Sequence, residues 1–276
     1  MPELPEVETV RKTLEYQLGR CMITNCIVKW DNIIAYPSVL QFMDKIKGKT
    51  IQSYHRYGKY LLFDLGDLMW ICHLRMEGKF YIQDGSEPIQ KHVHVIFNLD
   101  NGKQLRYHDT RKFGKMYLYE KQKSYHDYPC FDNVGYDAFD EHIDATYLYR
   151  KLHPKKCALK QALLDQKIIA GIGNIYADEI CFALGLHPET KVNRLRKKDF
   201  EKLIKEMRRI LLGAIRSGGT TIRSYTSSLG VDGRFQLKLK VHMKKGEECQ
   251  VCKTTIKKIT VATRGTYYCP HCQKRR

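Results

Sequence analysis

Four cysteines in the last thirty residues or so of this 276-residue sequence are spaced as metal ligands. Cys249-x2-Cys252 and Cys269-x2-Cys272 each make a knuckle that offers two thiolates, and two knuckles close a tetrahedral site. Such a site leaves no open coordination position, so one Zn2+ held there is structural rather than catalytic. A pair of disulfides would use the same four thiols, but the spacing favours zinc. Between the knuckles, Lys257, Lys258 and Arg264-Gly265 fall on an expected β-hairpin. A metal-stiffened hairpin bearing cations can enter a groove of DNA, or its cations can simply face water.

A second place for chemistry is Gly171-Ile172-Gly173-Asn174, a tight turn feeding a helix. Backbone N–H groups and the positive dipole end at such a helix start suit a phosphate, and Asn174 could cap the helix or donate to that phosphate. A plain helical hairpin uses the same glycines for sharpness. A third is the opening, Met1-Pro2-Glu3-Leu4-Pro5-Glu6-Val7-Glu8-Thr9-Val10. Pro5, Glu6 and Glu8 read as an ordinary helix start, with proline in the first turn and acids near the dipole's positive end. Pro2-Glu3 precede the helix and that reading leaves them unexplained.

These residues need elements to hold them. A first helix carries Val7, Val10, Leu14 and Leu18 on one stripe and stops at Gly19. From about Met22 to Tyr119 short apolar or alternating runs read as strands, among them Tyr60 to Leu65, Met69 to Leu74, His92 to Leu99 and Gln104 to Tyr107. That pattern predicts a β-sandwich or flattened barrel. After Tyr136 come helical segments at Ala158 to Gln166, Ile175 to Leu184 and Lys198 to Ile215, broken by Ser217-Gly218-Gly219-Thr220-Thr221. Thr226 to Gly233 reads as an exposed, mobile loop. The expected fold class is α+β multidomain: a catalytic β-sandwich domain with an N-terminal helix over 1–132, a helical domain over 133–236, and a β-hairpin zinc finger over 237–276.

Charge narrows the partners. Forty-eight Lys and Arg against thirty Asp and Glu give +18, a field that favours polyanions. No apolar run approaches the roughly 20 residues of a spanning helix, and Glu3, Glu6 and Glu8 do not suit a signal peptide. A cytoplasmic chain is therefore expected, and its six scattered cysteines should stay reduced. An anchor that would support binding to a membrane surface is missing from the pattern.

MPELPEVETV, the Gly-Ile-Gly-Asn turn and the cysteine quartet together resemble the formamidopyrimidine-DNA glycosylase family of bacteria, over essentially the whole chain. The resemblance implies a helix–two-turns–helix fold for the helical domain. It further implies a monomer that excises oxidised purines (8-oxoguanine, formamidopyrimidines) from double-stranded DNA, acts on abasic sites, and nicks the strand by β- and δ-elimination. In that family Met1 is removed and Pro2 attacks C1′ of the damaged nucleotide, with Glu3 as general acid/base. An α-amine titrates at about 7.7–8.0 against about 10.4 for lysine, which suits it as nucleophile at neutral pH. Glu3 should favour the ammonium form and the helix dipole the amine, and sequence leaves that balance open.

By the same resemblance Lys59 assists at the lesion phosphates, and His73, Asn174 and Arg264 contact phosphates. Met76, Arg111 and Phe113 match the family's gap-filling residues, with Arg111 donating to the estranged cytosine. Glu77 and the segment from Thr220 to Tyr225 fall where relatives contact the flipped base. The endonuclease VIII branch, which prefers oxidised pyrimidines, usually has glycine where Leu4 stands and lacks the Arg-x-Phe pair. A zinc-stiffened DNA-binding protein without catalysis would have no use for Pro2, Glu3 and Lys59 together.

Overall fold

The computed structural model describes residues 1–220 and 235–276, so the expected loop from Thr226 to Gly233 lies outside the described residues. The chain forms two units. The first is Met1–Asp132 and also takes in Gly218, Gly219 and Thr220; the second holds Asn133–Ser217 and the described residues from Phe235 onward.

The first unit begins with α1 (Leu4–Leu18), where Pro5 occupies the first turn and Val7, Val10, Leu14 and Leu18 are buried on one face. Gly19 ends it at a φ of 54°. Next come β1 (Cys21–Val28), β2 (Ile34–Tyr36) and α2 (Val39–Ile46). The helix α2 corrects the reading of this whole region as strands. Ser38 and Gln41 form a reciprocal capping box, and Phe42 and Ile46 bury one face.

The remaining strands are β3 (Thr50–Ile51), β4 (Ser53–Tyr57), β5 (Tyr60–Asp64), β6 (Leu68–His73), β7 (Lys79–Asp84), β8 (Val93–Leu99), β9 (Lys103–His108) and β10 (Lys115–Glu120). They build two five-stranded sheets, ordered β3-β1-β8-β9-β7 and β2-β10-β6-β5-β4. One core lies between them. Trp70 of β6 stacks on Phe63 of β5 at 4.1 Å and meets Phe97, from β8 of the opposite sheet, at 4.4 Å. Each such aromatic pair contributes about 0.5–1.5 kcal/mol beyond the area it buries. Among the places where the chain passes from one sheet to the other are the runs from β6 into β7 and from β9 into β10, and both crossings matter for the site.

In the second unit β11 (Tyr136–Asp137) pairs in parallel with β12 (Ile169–Ala170), a two-residue ladder that the sequence reading did not anticipate. Around it stand α3 (Ala145–Leu152), α4 (Leu159–Leu164), α5 (Asn174–Leu184) and α6 (Lys197–Arg216). Phe200, Leu203, Met207, Ile210, Leu211 and Ala214 form the buried stripe of α6. The antiparallel hairpin of β13 (Lys257–Val261) and β14 (Arg264–Tyr268) closes the unit. Among the described residues no helix is long and apolar enough to cross a membrane.

Candidate active site and nucleic-acid interface

Pro2 and Glu3 are buried just ahead of α1. Glu3 is the N-cap, and its backbone N–H donates to Glu6 Oε2 at 3.0 Å. The other oxygen of Glu6 accepts from Thr220 N at 2.8 Å and from Thr220 Oγ1 at 2.9 Å. One buried carboxylate therefore ties the start of the chain to the foot of the segment beyond α6; residues 221–225 lie outside the described residues. Burial lowers the N-terminal ammonium of Met1 below its ordinary value; Glu3 and Glu6 oppose that, while Lys59 adds to it. At the Met1 amine the net direction is toward the uncharged form, chiefly through desolvation.

Lys59 sits at the tip of the β4–β5 hairpin, where Tyr57 pairs with Tyr60 across the two-residue turn Gly58-Lys59. Gly58 takes a φ of 55°, which that turn requires and a side chain would strain. Lys59 is 5% exposed. His73 ends β6 beside it, edge-on to Tyr60 at 4.4 Å. Burial pushes the imidazole down to about 3, with Arg75 and Lys59 contributing, so the ring is neutral at working pH. Its Nδ1 accepts from Arg75 N at 2.9 Å, which leaves the proton on Nε2 as a donor.

Met76 and Glu77 lie on the crossing from β6 to β7; Arg111 and Phe113 lie on the crossing from β9 to β10. Met76 and Phe113 are 38% and 49% exposed, and the Arg111 guanidinium stacks over the Phe113 ring at 4.8 Å. Met1, Arg75, Met76, Arg111 and Phe113 line one cleft of about 710 Å3, together with Trp30, Asn32, Lys112 and Lys115. Lys112 lies over the Trp30 ring at 3.8 Å. Glu77 accepts a hydrogen bond from the Thr110 hydroxyl, which links the two crossings.

The second unit assembles Asn174 and Arg264. Asn174 is the first residue of α5, Gly173 stands at the cap, and the Asn174 amide donates to the Gly265 carbonyl at 3.0 Å. The capping alternative for Asn174 is thereby replaced by a tie to the hairpin. Asn174 Oδ1 is buried without a partner among the described residues. Arg264 is exposed at the start of β14, after a two-residue turn in which Ala262 and Thr263 take φ of 47° and 64°. Both turn residues are in the left-handed region usually filled by Asn or Gly.

Sequence reasoning missed what holds this hairpin. Lys160, fully buried on α4, donates to Asp178 Oδ1 at 2.7 Å, to the Gly265 carbonyl at 3.0 Å and to Thr266 Oγ1 at 2.9 Å. Asp178 Oδ2 lies 2.7 Å from His242 Nδ1, and Glu179 accepts the backbone N–H groups of Lys240, Val241 and His242. No spacing rule finds a lysine whose partner is 106 residues away.

The ligand sulfurs of Cys249, Cys252, Cys269 and Cys272 all lie within 4.8 Å of one another, with Cys252 and Cys269 at 3.4 Å and Cys249 and Cys272 at 3.9 Å. Four sulfurs at about 2.3 Å from one ion stand about 3.8 Å apart in a tetrahedron, so the quartet fits one zinc ion. Gly246 N and Ile256 O, and Cys249 N and Thr254 O, bond across the first knuckle.

Three family models match the chain: the formamidopyrimidine-DNA glycosylase N-terminal domain over residues 1–116, its H2TH domain over 134–226, and a zinc finger found in FPG and IleRS over 246–275. The formamidopyrimidine-DNA glycosylase of Bacillus subtilis is 46% identical over 277 residues, covering all of both chains. A complex of the Lactococcus lactis Fpg with DNA containing an abasic site superposes with a TM-score of 0.91 at 37% identity, covering 99% of this chain and 100% of that one. MutM in complex with DNA containing carbocyclic 8-oxo-G gives 0.90 at 38% identity and the same coverage.

Proposed function

The chain belongs to the formamidopyrimidine-DNA glycosylase family and is a DNA-repair glycosylase with abasic-site lyase activity and one structural zinc; from that premise we propose that it excises oxidised purines from duplex DNA through a covalent imine on Pro2. The observation that carries this reading is the burial of Pro2 and Glu3 just ahead of α1, where desolvation and Lys59 lower the proton affinity of the chain's first amine against the opposing Glu3 and Glu6. Once Met1 is removed, the Pro2 amine inherits that setting as a secondary amine. It attacks C1′, the C1′–N bond breaks, and the damaged base leaves with a proton. O4′ then takes a proton as the C1′–O4′ bond breaks, opening the sugar to an iminium on Pro2; the iminium acidifies the neighbouring sugar carbon, and β- then δ-elimination release the two phosphates. Glu3 shuttles protons at the sugar.

Access requires the lesion to leave the stack, at a cost of a few kcal/mol. In this reading Phe113 and Met76 fill the gap, Arg111 donates to the cytosine left behind, and Glu77 faces the extruded base. His73, as a neutral Nε2–H donor, joins Lys59, Asn174 and Arg264 on the phosphates. The working molecule would be a monomer on the bacterial chromosome, in the cytoplasm. Exposed apolar wedges of this kind are how proteins prise open base steps.

Borohydride reduction during reaction with an 8-oxoguanine:cytosine duplex tests the scheme. A reduced protein–DNA adduct should map to residue 2, and a protein carrying an N-terminal extension should bind without trapping. An adduct on Lys59, or trapping by the extended protein, would remove Pro2 as nucleophile. Faster release from a thymine glycol duplex would instead place the chain with pyrimidine-preferring relatives.

A further inference from the structure

The two crossings that bear Met76, Arg111 and Phe113 converge on a pair of side chains with no role so far. Asp109 is fully buried at the end of β9. Its Oδ1 accepts from Arg111 N at 3.0 Å, and its Oδ2 accepts from Phe113 N at 3.0 Å and from Gly114 N at 2.8 Å. Its carbonyl accepts from Lys112 N at 3.3 Å and lies 2.9 Å from His94 Nε2. Four consecutive backbone N–H groups, from Arg111 to Gly114, therefore end on one residue. Strand pairing stops at His108 and resumes at Lys115, so Asp109 stands in for the missing ladder.

Behind the carboxylate is Tyr107, fully buried, whose hydroxyl donates to Asp109 Oδ2 at 3.4 Å. That hydroxyl also abuts both crossings. A Cβ at Gly114 would stand 1.7 Å from it, and a Cβ at Gly78 would stand 2.1 Å from it. Glycine at both positions lets the phenol oxygen lie between the two backbones. The Tyr107 oxygen and the Asp109 carboxylate thus lie where the backbones of the two crossings meet, beside the Thr110–Glu77 hydrogen bond that also links them.

We propose that Asp109 and the Tyr107 hydroxyl form a positioning pair that fixes the register of the two crossings, and that this register governs how readily a paired base is expelled. The inference rests on the gap-filling reading above. An acceptor-only group is needed at 109: three N–H donors point at two oxygens, and an amide there would turn a donor toward one of them. Charge-assisted bonds of this kind are shorter and stronger than neutral ones, which suits a loop that must hold its shape while pushed into a base stack.

The test compares single-turnover base release from an 8-oxoguanine:cytosine duplex with strand cleavage at a preformed abasic site in the same duplex. Asp109→Asn should slow base release by about tenfold or more, and slow abasic-site cleavage far less. A lesion facing a mismatch, where unstacking costs least, should recover most of the loss. Tyr107→Phe should give a smaller loss with the same selectivity, and it carries the test if Asp109→Asn does not fold. Proportional loss of both activities, or release from the paired duplex at the unmodified rate, overturns the pair's role. Phe113→Ala separates the two levels. If it is impaired on the paired duplex while both Asp109→Asn and Tyr107→Phe are not, only this inference falls. If Phe113→Ala is itself unimpaired, the gap-filling reading falls and the positioning pair falls with it.

Discussion

Two short connections in this molecule present an arginine, one crossing between the two sheets of the first unit and one closing the β13–β14 hairpin, and they are held in opposite ways. The turn carrying Arg111 draws its order from within: Asp109 gathers the next few N–H groups, and Lys112 takes a φ of 57° to bring them round. The turn carrying Arg264 has two left-handed residues, Ala262 and Thr263, and no such carboxylate. Its order is imported, from four thiolates on one side and from Lys160 and Asp178 on the other. A turn ordered locally can survive damage elsewhere. A turn ordered from outside inherits every weakness of its supports.

Removing zinc should expose that contrast most strongly, since structural zinc contributes about 10–16 kcal/mol of folding free energy in small fingers. Chelation, or Cys269→Ser, should abolish duplex binding. Both tryptophans of the sequence, Trp30 and Trp70, lie in the first unit, so their emission should stay as it was. A tryptophan shift on chelation would show that the first unit also leans on the metal. Clean, active protein without stoichiometric zinc would remove the ion from the account.

The buried pair should matter next. Asp178→Asn leaves a buried ammonium without its counter-charge, at a cost of about 3–5 kcal/mol in denaturant unfolding. Replacing both partners, Lys160→Met with Asp178→Leu, should recover much of that stability while weakening duplex affinity, because Gly265 loses a donor. Equal affinity in the double variant would mean that zinc alone sets the hairpin.

On the other turn the expected loss is smaller and concerns selectivity. Arg111→Ala should narrow the preference for cytosine over adenine opposite the lesion by about 1–3 kcal/mol, the worth of a good bidentate base contact. Opposite-base rates that keep their ratio would free Arg111 of that role.

A further probe is pH. His73 has its imidazole pushed down to about 3 by burial, so between pH 6.5 and 3 only the unfolded chain takes up the proton. Stability should therefore fall as pH drops through that window, by about 1.4 kcal/mol per unit from this one group, and level off near pH 3. His73→Gln should flatten that limb in chemical denaturation. An unchanged limb would mean that the ring is hydrated in solution.

Legibility from sequence follows the same division. The stripe of α1 and the cysteine knuckles are local patterns, and periodicity or spacing displays them. The helix α2 was also local, yet a string of neighbouring strands masked its Ser38-x-x-Gln41 signature. Asp109 carries no such signature, because sequence does not display how many N–H groups a carboxylate will meet. Lys160 carries no signature of its role. Its burial depends on a hairpin folded back from far along the chain, and no window of sequence contains both.

The hairpin's dependence on Lys160 and Asn174 also has a bearing on how its sequence can drift. Both side chains grip the carbonyl of Gly265, which every amino acid carries. A Cβ at that position would meet only the flexible end of Lys258, at 3.2 Å. The gripped residue is therefore free to vary while the gripping residues are not. Over generations position 265 can change without loosening the hairpin's attachment, so variation should be tolerated there and be scarce at the two positions that hold it.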